Sequence, residues 1–88
     1  MIEQEIKVVN RAGLHTRPAA DLVKTAAKFK SDIALIRDGF AINAKSIIGV
    51  MTLAAEQGSS LTLRVEGEDE KEAAEKISKL FKNGFNEE

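Results

Sequence analysis

The chain has no cysteine, no tryptophan and no tyrosine, and its 88 residues include one histidine and one proline. Without cysteine there are no disulfides, thiol nucleophiles or thiolate metal sites, which fits a reducing cytoplasm. With four phenylalanines as its only aromatics, the chain offers no base-stacking platform. A formal net charge of -1 gives no cationic footprint for nucleic acid. Met1 to Val9 alternates acidic and apolar residues, with no apolar run behind a basic start, and so does not read as a signal peptide. No apolar stretch approaches the roughly 20 residues needed to cross a bilayer, so membrane insertion is not expected. One histidine without a carboxylate cluster in register predicts no metal centre, and no cofactor is expected. The composition, 43% hydrophobic and 31% charged, suits a single domain over residues 1–88 with a core of its own, expected as a monomer.

Two periodicities organise the chain. Ile2, Gln4, Ile6 and Val8 alternate with Glu3, Glu5 and Lys7, which predicts a half-buried strand with Gln4 out of place on its inner face. Asn10 to Gly13 reads as a loop. From about Thr16 to Phe29, Ala19, Leu22, Val23, Ala26 and Phe29 fall on one helical face. Pro18 is tolerated only in a first turn, so the helix starts at about His15 to Arg17. Ile33 to Arg37 and Phe40 to Ala44 flank Asp38-Gly39, a hairpin in which Leu35 faces Ile42 and Ile33 faces Ala44.

Ser46 before the apolar run Ile47 to Ala55 reads as the N-cap of a short helix closed by Gly58. Val50, Leu53 and Ala54 are expected inside that helix, which leaves Ile47, Ile48 and Met51 partly outside. Leu61, Leu63 and Val65 mark a fourth strand. Asp69-x-x-Glu72 looks like a capping box opening a last helix whose inner face is Ala73, Ala74, Ile77, Leu80 and Phe81. Gly84 suits its C′ position, with Phe85 expected to pack on Leu80 and Asn86 to Glu88 expected to fray. The order β-α-β-β-α-β-α predicts an α+β protein in two layers, with the strand order left open.

The chemistry concentrates where the first helix begins. The first N–H groups of a helix have no internal partner, and the aligned peptide dipoles place about half a positive charge there, making an anion site. His15 at this mouth would lie near the N–H groups of Thr16 and Arg17, and the Arg17 guanidinium can grip phosphate oxygens in pairs. Positive surroundings disfavour a protonated imidazole and keep a ring nitrogen lone pair available. A phosphoryl group taken up there sits on a labile P–N bond, which suits a carrier better than a stand-alone enzyme. Taken singly, His15 also reads as a surface residue, Arg17 as a solvated charge and Pro18 as a helix starter. Composition and spacing reach anion binding and stop there.

The stretch Gly13-Leu14-His15-Thr16-Arg17-Pro18-Ala19-Ala20 closely resembles the active-site motif of the histidine-containing phosphocarrier family (HPr) of the bacterial phosphoenolpyruvate-dependent sugar phosphotransferase system. Ala44-Lys45-Ser46-Ile47-Ile48-Gly49-Val50-Met51 resembles its second signature, and the likeness runs the whole chain. It implies an open-faced β-sandwich, a four-stranded antiparallel sheet with three helices on one face. It implies that His15 takes a phosphoryl group on Nδ1 from phosphorylated enzyme I and passes it to the IIA component of a sugar permease. Arg17 would neutralise the phosphate, with Thr16 and Pro18 beside it. The implied partner surface is Thr16, Arg17 and Ala20 with Ile47, Ile48 and Met51.

Ser46 matches the regulatory serine of members controlled by the HPr kinase/phosphorylase, and it also reads as a plain N-cap. A phosphate there is tolerated by the helix dipole and repels an acidic partner surface. Thr16 stands where the family more often has alanine. Two alternatives stay open: a carrier of the nitrogen-related phosphotransferase branch, or a regulatory domain that binds a catabolite-control transcription regulator through Ser46 and the apolar patch.

Overall fold

The computed structural model describes residues 1–87; the fraying expected of Glu88 lies outside the described residues. Four strands and three helices follow the expected order: β1 (Ile2–Lys7), α1 (Thr16–Ala26), β2 (Asp32–Arg37), β3 (Phe40–Asn43), α2 (Ile47–Thr52), β4 (Ser60–Glu66) and α3 (Glu70–Lys82). The sheet is antiparallel in the order β1-β4-β2-β3, so the last strand enters between the first and the hairpin. Its register sets Gln4 opposite Leu63, Leu63 opposite Leu35, and Leu35 opposite Ile42, one continuous row across the core face. Flanking rows carry Ile6 with Leu61 and Ile33 with Val65. Ala19, Leu22 and Ala26 of α1 and Ala73, Ala74, Ile77 and Phe81 of α3 are buried against these rows. The result is the α+β open-faced sandwich, sheet on one side and three helices on the other.

The hairpin forms as expected, with Asp38 at φ 50° and Gly39 at φ 80° supplying the type I′ turn. Gln4, the polar residue on the inner face of β1, is satisfied by the Ser78 hydroxyl of α3. Pro18 sits in the first turn of α1, one residue after Arg17, and is buried.

Several expectations give way. The helix α1 stops at Ala26, short of Phe29. Lys28 N–H bonds the Thr25 carbonyl (3.1 Å) and Phe29 N–H the Ala26 carbonyl (3.2 Å), so the chain tightens as it leaves the helix. Phe29 still packs on the core. The helix α2 ends at Thr52, well before Gly58, because Ala54 turns left-handed at φ 47°. That reversal exposes Ala54 and buries Ala55 in its place.

The capping box at Asp69 does not form. Asp69 makes no side-chain cap bond to its own helix. Its carboxylate instead accepts Lys30 N–H (2.9 Å), Ser31 N–H (3.0 Å) and the Ser31 hydroxyl (2.5 Å), fastening the start of α3 to the turn after α1. The Gly67 N–H bonds Glu70 rather than Asp69. The Ser31 hydroxyl, with the Lys30 N–H next, pulls the Asp69 carboxyl down to about 2 from an ordinary 3.8. Lowered in the folded state, this group stabilises the fold above its unfolded value, and the contribution fades as pH falls from about 4 towards 2. Asp69→Asn is therefore expected to lower the midpoint of urea unfolding at pH 7 and to narrow its gap to the parent protein at pH 2.5. An undiminished gap at pH 2.5 would refute the role.

Among the described residues no helix is long and apolar enough to cross a membrane.

Candidate phosphoryl-acceptor site

Three chain segments build the site. The loop from Asn10 to Leu14 is pinned from within, since Asn10 Nδ2 donates to the Gly13 carbonyl (2.8 Å) and Gly13 N–H to the Asn10 carbonyl (3.1 Å). It is pinned from outside by Leu14 N–H, which bonds the Ala55 carbonyl (2.8 Å) in the segment after α2. This delivers His15 as the N-cap of α1, extended at φ -84° and ψ -167°, with its carbonyl accepting Ala19 N–H (2.9 Å). Among the described residues no side chain caps the first turn, so the helix mouth is open to an outside acceptor.

The third segment comes from the end of the chain. Beyond α3, Gly84, Phe85 and Asn86 all have positive φ (59°, 55° and 60°), a left-handed reversal. Such a conformation costs a phenylalanine about 1–2 kcal/mol. The ring is buried and packs edge to face on Phe81, with centroids 4.9 Å apart, which offsets that cost. The turn carries Glu87 back to the loop. Its carboxylate accepts from Asn10 Nδ2 (3.0 Å) and meets His15 Nε2 at 3.2 Å, so residues 86 and 87, expected to fray, close one wall of the site.

Arg11, Ala12, His15, Arg17, Asn86 and Glu87 line a shallow concavity of about 390 Å³. The His15 side chain is 43% exposed and Glu87 15%. Burial works to raise the Glu87 carboxyl, but the Asn10 amide, the His15 ring and the Arg17 charge outweigh it and hold Glu87 below the ordinary carboxylate range. Asn10 is itself buried, and both of its Nδ2 partners are oxygens. That fixes the amide orientation and leaves Oδ1 without a partner among the described residues. Such a group costs about 1–3 kcal/mol, which the two bonds from Nδ2 offset in part.

The structure thus brings His15 and Arg17 to one concavity, with Thr16 and Ala20 exposed on the same first turns. Pro18 has no N–H and is buried, so it bears on a bound anion only by fixing where the helix starts. Ile47, Ile48 and Met51 are exposed (39%, 76% and 42%) and form an apolar hollow with Thr52 on α2, which packs against α1. The Ser46 hydroxyl accepts Gly49 N–H (3.1 Å), an ordinary N-cap. Asn10 and Glu87 escaped the sequence reading. Asn10 carried only a turn signal, and Glu87 lies 72 residues from His15 with no motif joining them.

The family model described as the PTS HPr component phosphorylation site matches residues 2–83. The phosphocarrier protein HPr of Treponema pallidum is 52% identical over 88 residues, covering 100% of both chains. The HPr-like protein Crh of Bacillus subtilis is 47% identical over 78 residues, 89% of this chain and 92% of Crh. The crystal structure of HPr-C-His from Thermoanaerobacter tengcongensis superposes with a TM-score of 0.96 at 45% identity, covering 100% of this chain and 99% of that one. A likeness this extensive in sequence and overall fold has one reading: the chain belongs to the HPr phosphocarrier family of the phosphotransferase system.

Proposed function

We propose that His15 accepts a phosphoryl group on Nδ1 from phosphorylated enzyme I and hands it to the IIA component of a sugar permease. The observation that carries this reading is an exposed imidazole at an uncapped helix mouth beside an exposed Arg17. Among the described residues Nδ1 makes no hydrogen bond, which leaves it free for an incoming phosphorus. The open N–H groups of the first turn and the Arg17 guanidinium neutralise the phosphate oxygens without covalent commitment, so the labile P–N bond can give the group up again. Thr16, Arg17 and Ala20, with the apolar hollow of Ile47, Ile48 and Met51, form the surface on which both partners dock in turn. The chain works in the cytoplasm, where such partners are found.

Incubation with phosphoenolpyruvate and enzyme I is expected to give one acid-labile phosphoryl group per chain, read as Nδ1-phosphohistidine by phosphorus NMR. Acid-stable label, or none, would sink the reading.

A second role rests on Ser46. Its hydroxyl already sits at the N-cap of α2, where the helix tolerates a dianion, while Ile47 and Ile48 lie immediately beside it. Phosphorylation by an HPr kinase/phosphorylase would then alter docking without refolding, slow uptake from enzyme I, and offer a phosphorylated surface to a catabolite-control transcription regulator. Within the same experiment, Ser46→Asp should slow uptake while the far-UV spectrum stays as it was; unchanged uptake counts against this role. Carriage in the nitrogen-related branch would show instead as uptake from that branch's own enzyme I in preference to the sugar one.

A further inference from the structure

We infer that Glu87 is a positioning residue for His15: its carboxylate holds the proton on Nε2 and so keeps Nδ1 as the lone-pair nitrogen. This rests on the proposal that His15 is the phosphoryl acceptor, and it deepens that proposal by giving Nδ1 a cause in the chain's own residues. An ionised carboxylate has no proton to donate. Both Glu87 oxygens lie within 3.2–3.3 Å of Nε2, so that nitrogen must be the donor. In a neutral imidazole the other nitrogen then carries the lone pair. Glu87 stays ionised at neutral pH because the Asn10 amide, the His15 ring and the Arg17 charge together outweigh its partial burial.

The carboxylate is also held from behind. Buried Asn10 spends the same Nδ2 on Glu87 and on the carbonyl of Gly13, so the acid is fixed to the loop that aims the ring. The buried Phe85, in its left-handed conformation, delivers Glu87 from α3. An acid oriented at both ends and placed on the far ring nitrogen serves a nucleophile as a third group serves a base in a hydrolase triad.

The transfer step balances without any proton leaving the ring. The Nδ1 lone pair forms the new P–N bond as the bond between phosphorus and the donor breaks, and that bond's electron pair returns to the donor. The Nε2 proton stays where it was, and the positive charge that develops on the His15 ring faces the Glu87 carboxylate. Return of the group to an acceptor reverses each movement. Arg17 and Arg11 line the same concavity and offset the repulsion between Glu87 and an approaching phosphate.

The test compares the full chain with Glu87→Gln and Glu87→Ala, reading the His15 ring by nitrogen-15 NMR and phosphoryl uptake by single-turnover kinetics. In the unaltered chain the Nε2–H tautomer should dominate the neutral ring. Glu87→Gln keeps an accepting oxygen and should largely keep that tautomer while losing rate. Glu87→Ala should lower the tautomer ratio and the uptake rate constant by about fivefold or more, the scale of one charge-assisted hydrogen bond partly open to solvent. The concentration of enzyme I giving half-maximal rate should not move, because Glu87 is not placed on the docking surface. An alanine variant with the parent's tautomer ratio overturns the inference even if His15 is phosphorylated normally. Failure of the unaltered chain to be phosphorylated at His15 overturns the carrier reading instead, while the tautomer measurement still reports whether Glu87 directs the ring.

Discussion

Replacing His15 with alanine is expected to abolish acid-labile phosphorylation outright, with no residual activity from a neighbouring group. The chain holds no second histidine, so no other imidazole can take the group and form a phosphohistidine bond in its place. The loss should come without unfolding. His15 is exposed, and its backbone rather than its side chain caps α1, a geometry that alanine can adopt. Arg17→Ala, in the same assay, should keep a phosphorylatable histidine yet slow transfer by about 10²-fold, the usual cost of removing one fixed partner for developing negative charge. Arg17→Lys restores the charge but not the paired N–H geometry and should recover only part of the rate. Rapid transfer in Arg17→Ala would mean that the helix mouth suffices alone, and would demote the guanidinium to a surface charge.

The contrast between His15 and Glu87 shows what a linear sequence carries. His15, Arg17 and Pro18 are neighbours, and the helix start that makes them a site is itself announced by Pro18, so that half of the concavity was legible. The alternation in β1 and β4, the Asp38-Gly39 turn and the helical face of α3 were legible for the same reason, since each depends on residues two to four apart. Asp69 marks the limit. Its position suggested a local cap, but Ser31 and Lys30, about 38 residues away, claimed the carboxylate once the sheet had folded. The end of α2 failed differently, because Ala54 took a left-handed turn for which glycine is the usual signal. The insertion of β4 between β1 and β2 was likewise invisible to pattern, being settled by which apolar faces match over long range. The wall made by Asn10 and Glu87 belongs to this second kind and exists only in the folded chain.

Gly13, two residues before His15, shows how closely the candidate site's geometry and the fold's stability are joined. It sits at φ 73°, and a β-carbon placed there would come within 2.6 Å of the Ala55 carbonyl oxygen and 2.9 Å of Glu56 Cα. Both are backbone atoms, so a side chain cannot be accommodated by a rotamer change and the loop itself must lift. Lifting it strains the Leu14 N–H bond to that same Ala55 oxygen and draws buried Leu14 off the core. Gly13→Ala should therefore cost about 2–4 kcal/mol, combining a left-handed alanine, a lost hydrogen bond and disturbed packing. At about 4–8 °C per kcal/mol for a domain of this size, the fall in Tm is on the order of 10–30 °C. Gly39→Ala is the natural control. It too has a positive φ (80°), but nothing lies within 4 Å of its β-carbon, so only the conformational cost of about 1 kcal/mol applies. Equal losses in thermal melts of the two variants would show that the approach to Ala55 carries no energy. If the Gly13 loss is the larger, the variant should also transfer phosphate slowly below its Tm. The lifted loop carries His15 away from Glu87, and Gly13 then matters because it lets the loop lie flat enough to aim the ring.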